Sequence, residues 1–172
     1  MIDRVEIKVK AGDGGRGVVN FRREMYVPFG GPDGGDGGKG GDVVIRADNS
    51  VDSLRFFRRN RLYGAENGFS GGGKKKFGKN GEDLILKVPA GTIVTSIDED
   101  GTRVLLADLG SAGEKVIVAA GGKGGYGNVH FKSSINQAPR IAQKGEAGEE
   151  KSLNLEMRLI ADVGIIGYPN AG

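Results

Sequence analysis

The sequence predicts a mainly β domain with little α-helix, in which glycine-rich segments run as polyproline II helices alongside a small barrel or sandwich of short strands. Three observations carry that prediction. Short β-branched and apolar runs recur along the chain with turn chemistry between them. Glycine supplies 33 of the 172 residues, against an ordinary usage of about 7%. Within the glycine-rich blocks the glycines recur every third residue, and three residues make one turn of polyproline II.

Taken in order, Val5, Ile7 and Val9 alternate with charged residues, the period of a strand with one buried face. Further strands are predicted over 18–21, 43–45, 84–88, 93–94, 104–106 and 116–118, and Leu153, Leu155, Met157 and Leu159 alternate with polar partners. Turns are predicted at 89–91, 98–101 and 110–113, where Pro, Asp, Ser and Gly cluster. One or two turns of helix are predicted within 52–59. Residues 159–166 read as a strand entering a buried sheet.

Three glycine blocks, 12–17, 30–41 and 121–127, alternate with these strands. Glycine stands at 31, 34, 37 and 40, with a second register at 35, 38 and 41. The same spacing links Gly12 to Gly15, Gly14 to Gly17, Gly121 to Gly124 and Gly127, and Gly122 to Gly125. A three-residue period leaves a bare edge along a polyproline II helix, so backbones can approach and pair their N–H and C=O groups between helices. Ordering each glycine costs roughly 0.5–1 kcal/mol more than ordering alanine, so the geometry must demand them. A flexible linker or RGG-like tail needs neither the period nor the flanking strands. Collagen needs a longer unbroken register and far more proline than the five present.

Basic residues cluster beside the glycine. Residues 51–90 carry nine Lys or Arg against four acids, a local +5 in a chain of net charge +3. Arg22 and Arg23 precede the second block, and Lys123, His130, Lys132, Arg140 and Lys144 lie in or after the third. Three basic loops beside rigid segments point to contact with a polyanion, phosphate above all. The candidate RNA-binding residues are Arg22, Arg23, Lys74, Lys75, Lys76, Lys79, Lys123, Lys132, Arg140 and Lys144. Phe29, Phe69, Phe77, Tyr126 and Phe131 interleave with them and are candidates to stack on bases.

Several chemistries are excluded. The chain has no Cys and one His, so it offers no disulfide framework, no thiolate nucleophile and no His-rich metal site. Cysteine-free composition fits a reducing compartment. The first residues are charged and no apolar run follows, so no signal peptide is read. No stretch approaches the roughly 18 apolar residues of a spanning helix. Ser133 and Ser134 are near His130 in sequence, which is not triad geometry.

The last segment is of another kind. Gly167-Tyr168-Pro169-Asn170-Ala171-Gly172 supplies the first six positions of the phosphate-binding loop G-x-x-x-x-G-K-S/T, placed after a predicted strand as that motif requires. In such loops backbone N–H groups cradle phosphates, the lysine meets the β and γ oxygens, and the Ser/Thr holds Mg²⁺. The lysine and the hydroxyl residue would be the next two.

Phe21-Arg22-Arg23-Glu24, Tyr26-Val27-Pro28 and the long run from Gly30 to Asp42, GGPDGGDGGKGGD, resemble the signature of the Obg family of ribosome-associated GTPases. Lys87-Val88-Pro89-Ala90-Gly91-Thr92, the stretch 121–128, Phe131-Lys132-Ser133-Ser134 and Ala161-Asp162-Val163-Gly164 leading into 167–172 match the same family in order, so the resemblance covers essentially the whole chain. It implies an Obg fold, a bundle of glycine-rich polyproline II helices on a small β-barrel over residues 1–160, followed at 161–172 by the first strand and partial phosphate loop of a GTPase domain. It implies a full-length protein that hydrolyses GTP to GDP and phosphate with Mg²⁺, is cytoplasmic, monomeric and not inserted in membrane, and acts in assembly of the large ribosomal subunit. It places the loops 23–32, 67–81 and 129–144 toward ribosomal RNA, and makes Asn170 a candidate K⁺ ligand. No catalytic residue is assigned within 1–172, and this stretch alone is expected to neither bind nor hydrolyse GTP. The alternatives are an RNA-binding module without nucleotide chemistry and a purely structural polyproline II bundle of the ice-binding kind. The basic loops and the terminal strand and loop argue against the second.

Overall fold

The computed structural model describes residues 3–23 and 30–158. The predicted strand at 159–166, the phosphate loop at 167–172 and Phe29 lie outside them. Among the described residues, eight strands, one four-residue helix and one 3-10 turn make up the regular structure. The strands are β1 (Arg4–Lys10), β2 (Val43–Ala47), β3 (Leu62–Gly64), β4 (Leu84–Val88), β5 (Thr92–Ile97), β6 (Arg103–Leu109), β7 (Lys115–Ala119) and β8 (Glu150–Met157), and the helix α1 is Phe56–Arg59. The mainly β fold with little helix agrees with the sequence.

The strands form two open sheets, ordered β3-β1-β8-β5-β6 and β4-β2-β7. The closed barrel implied by the resemblance does not form. The sheets face each other through one apolar core, with Val5, Ile7 and Val9 of β1, Val94 of β5 and Leu153 and Leu155 of β8 on one side. Val43 and Ile45 of β2, Leu86 and Val88 of β4 and Val118 of β7 stand on the other. The two sheets meet through their apolar faces, and among the described residues no hydrogen-bonded ladder joins them. Leu54 and Phe57 close the core beside α1, where Phe57 meets Tyr63 edge-on with ring centroids 5.7 Å apart.

Six of the eight strands feed a rod of six glycine-bearing segments. β1 continues into 11–18 and β3 into 65–72, while 33–41 leads into β2, 75–82 into β4 and 143–149 into β8; β7 continues into 120–128. Strand pairing carries on upward. The first segment pairs antiparallel with the sixth through Ala11–Glu149, Gly14–Glu146 and Gly17–Gln143, as β1 pairs with β8. It pairs parallel with the third through Lys10–Ala65, Asp13–Gly68 and Arg16–Gly71, as β1 pairs with β3. Cross-links join the halves, as in Gly12 and Gly15 N–H donating to Gly41 and Gly38 C=O. Every ladder advances by three residues.

That lattice needs glycine because a neighbouring backbone occupies the space of a side chain. A Cβ on Gly37 would overlap the carbonyl of Gly15, and one on Gly124 the carbonyl of Gly37, both far inside the 3.0 Å limit. Amides left over by the three-residue ladders are taken by side chains. Asp13 accepts from Gly148 N–H at 2.9 Å, Asp36 from Gly127 at 2.8 Å and Asp42 from Gly121 at 2.7 Å. The aspartates of the glycine blocks are therefore structural acceptors.

Two local expectations differ. Residues 18–20 carry no strand, because Val18 is the last rung of the first segment, donating to Gly35 and accepting from Asn128. Phe21 makes only an isolated bridge with Pro32. Within 52–59 only Phe56–Arg59 is helical. The predicted turns hold, with Gly91, Gly101 and Gly113 at φ of 91°, 86° and 93°.

Gly37→Ala is expected to destabilise the domain by at least the roughly 1–3 kcal/mol of ordinary overpacking. Gly110→Ala, with nothing within 4 Å of its Cβ position, should stay within about 0.5 kcal/mol of the parent. Urea unfolding of both variants checks this, and equal midpoints would contradict the lattice.

Acid should loosen the same lattice. Asp13 is held below the ordinary 3.8 by the Lys10 ammonium and then by Gly148 N–H. At Asp42 burial acts upward, but Gly121 N–H and Lys39 outweigh it and the net direction is down. Carboxylates with depressed folded-state pKa values contribute stability that is present above their unfolded value and lost as pH falls through the folded one. Melting temperature should therefore fall as pH drops below 3.8, and Asp42→Asn should show a smaller fall than the parent over the same titration.

Candidate nucleic-acid interface

The rod has a base at the sheets and a tip away from them. The described residues of the loops joining its segments at the tip are 18–23 with 30–33, 72–76 and 128–143. Among the described residues of those loops stand seven cationic residues, Arg22, Arg23, Lys74, Lys75, Lys76, Lys132 and Arg140, against one carboxylate, Asp33. All seven are exposed and Asp33 is buried. The structure thus brings together seven of the ten residues singled out from sequence. Lys144 stands just below the tip, at the start of the sixth segment, while Lys79 and Lys123 lie on the shaft, exposed but away from the cluster. Among the described residues no ion pair involves Arg23, Lys132, Arg140 or the three lysines.

The lysine loop is a tight turn. Lys76 N–H donates to Gly73 C=O at 3.3 Å, and the two central residues, Lys74 and Lys75, both have φ of 58°. Positive φ at both central positions is the type I′ arrangement, ordinarily filled by Asn and Gly. Each left-handed non-glycine residue costs roughly 1–2 kcal/mol. Lys75 N–H is fixed to Asp33 C=O at 2.6 Å. The turn therefore holds two ammonium groups on a backbone that a neutral Asn-Gly would occupy more easily.

Asn128 ties the first and third loops together, and sequence reasoning missed it. It is fully buried. Its Oδ1 accepts from Gly34 N–H at 2.8 Å, and its Nδ2 donates to Asn20 C=O and Pro139 C=O, both at 3.0 Å. One amide thus joins the first loop, the third loop and the second segment, in the place where the next rung of the ladder would otherwise run. Asn20 in turn donates to Asp33 Oδ1 at 2.6 Å, beside the carbonyl that receives Lys75. An Asn closing a glycine run, where the period stops, was the only signal available.

The aromatic candidates divide. Phe77 (76% exposed) adjoins the lysine turn and Phe69 (48% exposed) lies on the shaft. Tyr126 stacks on His130 with centroids 4.4 Å apart, and His130 Nε2 is 2.9 Å from Asp36 Oδ1, so the single histidine is engaged within the rod. Phe131 is half-buried. Among the described residues no cluster of three or more His, Asp or Glu could hold a metal ion, and no helix is long and apolar enough to cross a membrane.

Two sheets carrying a glycine rod with a cationic tip define the class of this domain. The chain belongs to the GTP1/OBG family, whose model matches residues 2–159. It is 59% identical over 171 residues to a GTPase Obg of Sulfurihydrogenibium sp., covering 99% of this chain and 49% of that protein. It is 57% identical over 171 residues to a GTPase Obg of Persephonella marina, with the same coverage. A GTPase Obg of Dehalococcoides mccartyi is 56% identical over 172 residues, 100% of this chain and 41% of its own length. The chain spans half or less of the length of these curated relatives.

Replacing the strained pair by Lys74→Asn with Lys75→Gly should raise stability by up to about 1 kcal/mol, the relieved strain less the entropy of the new glycine. Urea denaturation measures it, and a loss of stability would show that the lysines are comfortable where they are.

Proposed function

We propose that this chain is the ribosomal-RNA-docking domain of an Obg-type GTPase acting in assembly of the large ribosomal subunit. Residues 1–160 form the glycine-rod domain and 161–172 open the GTPase domain. The observation that carries the reading is the tip, where seven cations on three loops stand against one buried carboxylate at the end of a rod. We read the six segments as polyproline II helices, on the three-residue ladders and the absence of strand or α-helix within them. Eight residues of such a helix at about 3.1 Å each, then eight of β8 at about 3.3 Å, set the tip roughly 50 Å from Arg158. RNA contact and nucleotide chemistry are then handled at opposite ends of a stiff spacer.

The relatives' names support GTP as the nucleotide. GTP and GDP are bound by the GTPase domain of the full-length protein, where Mg²⁺ supplies charge neutralisation at the transferring phosphate. Gly167, Tyr168, Asn170, Ala171 and Gly172 contribute backbone N–H groups to the phosphate cradle, Pro169, which has no N–H, fixes the backbone between them, and Asn170 is the candidate K⁺ ligand. The site residues on the RNA side are Arg22, Arg23, Lys74, Lys75, Lys76, Lys132 and Arg140 at the tip, with Lys144, Lys79 and Lys123 as outlying contacts. The protein works as a cytoplasmic monomer.

Binding of a large-subunit ribosomal RNA fragment should weaken with salt, with a log–log slope of about −0.7 to −0.9 per phosphate neutralised. Replacing Lys74, Lys75 and Lys76 by Ala should flatten that slope by about two to three units. An unchanged slope would reduce the lysine turn to a solvated surface.

A further inference from the structure

We propose that the groove between the first and third tip loops is a pocket for a single unstacked nucleotide of RNA, its base stacked on Phe21 and Arg140 and its phosphate held by Arg23 and Lys132. The inference rests on the RNA-docking reading and narrows it, from contact with any phosphate backbone to recognition of one nucleotide outside a helix.

The groove is about 570 Å³ and is lined by Phe21, Arg22, Arg23, Lys132, Gln137 and Arg140, together with small residues. That volume lies within the roughly 300–1,000 Å³ of pockets that take small ligands. No carboxylate lines it among the described residues. Lys132 reaches across from the third loop, its Nζ 3.7 Å from the position a Cβ would take on Gly31 of the first. A cation on each wall suits one compact anion between the loops.

The groove also holds flat apolar surface, which a phosphate rail does not need. Phe21 is half-buried and anchored by its bridge to Pro32, and the Arg140 guanidinium carbon lies over its ring, 5.8 Å from the centroid. Aromatic rings and guanidinium planes are the surfaces on which proteins stack bases splayed out of RNA. Bases inside an A-form duplex have no free face to offer, and its narrow major groove admits no side chain. The exposed lysine turn suits a duplex backbone, whereas this concave groove suits an extruded nucleotide. Gln137 supplies an amide with both donor and acceptor, able to read one base edge.

The test uses the 172-residue protein and three RNA hairpins that differ at one place. One carries a single bulged 2-aminopurine, one is fully paired, and one has an abasic site at the bulge. The bulged hairpin should bind roughly ten- to hundredfold tighter than either of the others, the range that stacking one base supplies. Its 2-aminopurine fluorescence should change on binding. Phe21→Leu, which keeps the apolar volume, and Gln137→Ala, at an exposed position, should each reduce that preference while leaving the salt slope as it was. Equal affinity for all three hairpins would overturn the nucleotide pocket and leave RNA docking standing. Failure of all three to bind at low salt would overturn both.

Discussion

The whole domain depends on one steric fact: in the rod, the place of a side chain is already taken by another segment's carbonyl. Glycines as far apart in sequence as Gly12, Gly37, Gly68, Gly81, Gly121 and Gly148 each have a backbone oxygen of a different segment at the position of the missing Cβ. Removing side chains lets the backbones come close enough to bond directly. The bonding then leaves certain amides over, and these explain the aspartates and asparagines at fixed places in the glycine runs. Stability in the rod is almost wholly main-chain hydrogen bonding, while hydrophobic burial is confined to the two sheets below. The sheets therefore hold six glycine-rich strands of backbone in register at a common base, which offsets the entropy that glycine loses on ordering.

At the tip this rigidity becomes geometry for charge. Loops rooted in a stiff lattice need only a short connecting network to be fixed relative to one another, and Asn128, Asn20 and Asp33 provide it with a few buried or partly buried hydrogen bonds. The strained lysine turn belongs to the same arrangement. A backbone that departs from its comfortable conformation persists when its surroundings over-determine it, and Lys75 is tied through its N–H to the carbonyl of Asp33. Stability and charge placement pull in opposite directions at Lys74 and Lys75, which separates this turn from the solvated lysines of the shaft.

Much of this was legible in the sequence, and the gaps have physical reasons. The strands β1, β2, β4, β5, β6, β7 and β8 all announced themselves through β-branched runs or alternation. β3 did not, because Leu62-Tyr63-Gly64 is three residues long and pairs only along one edge of β1. Three of the six rod segments were visible through long glycine periods. The other three carry just two glycines each at the required spacing, Gly68 with Gly71, Gly78 with Gly81 and Gly145 with Gly148, and two points do not make a period. Val18 looked like a strand residue because its side chain is β-branched, yet its N–H and C=O were already claimed by the rod. The basic residues could be counted from sequence, but their convergence could not, since 22–23, 74–76, 132 and 140 meet only through the rod's alternating directions. Asn128 was invisible because a buried amide and a surface amide look alike in sequence.

The order in which the chain can fold follows from how far apart the rod's partners lie. Asp13 bonds Gly148, 135 residues away, and the first segment cannot complete its ladder to the sixth until residues 143–149 exist as free chain. Contacts this distant must be preceded by closing long loops, which makes folding slow relative to proteins built from local pairs. Glycine segments have no side chains with which to collapse early, so the apolar strands must gather first and the rod zip upward from its base. During synthesis β8, the last of the described strands to emerge, is the central strand that joins β1 to the β5–β6 hairpin. The tip is thus the last part of the domain to take shape, and a nascent chain acquires its cationic surface only after the sheets beneath it are complete.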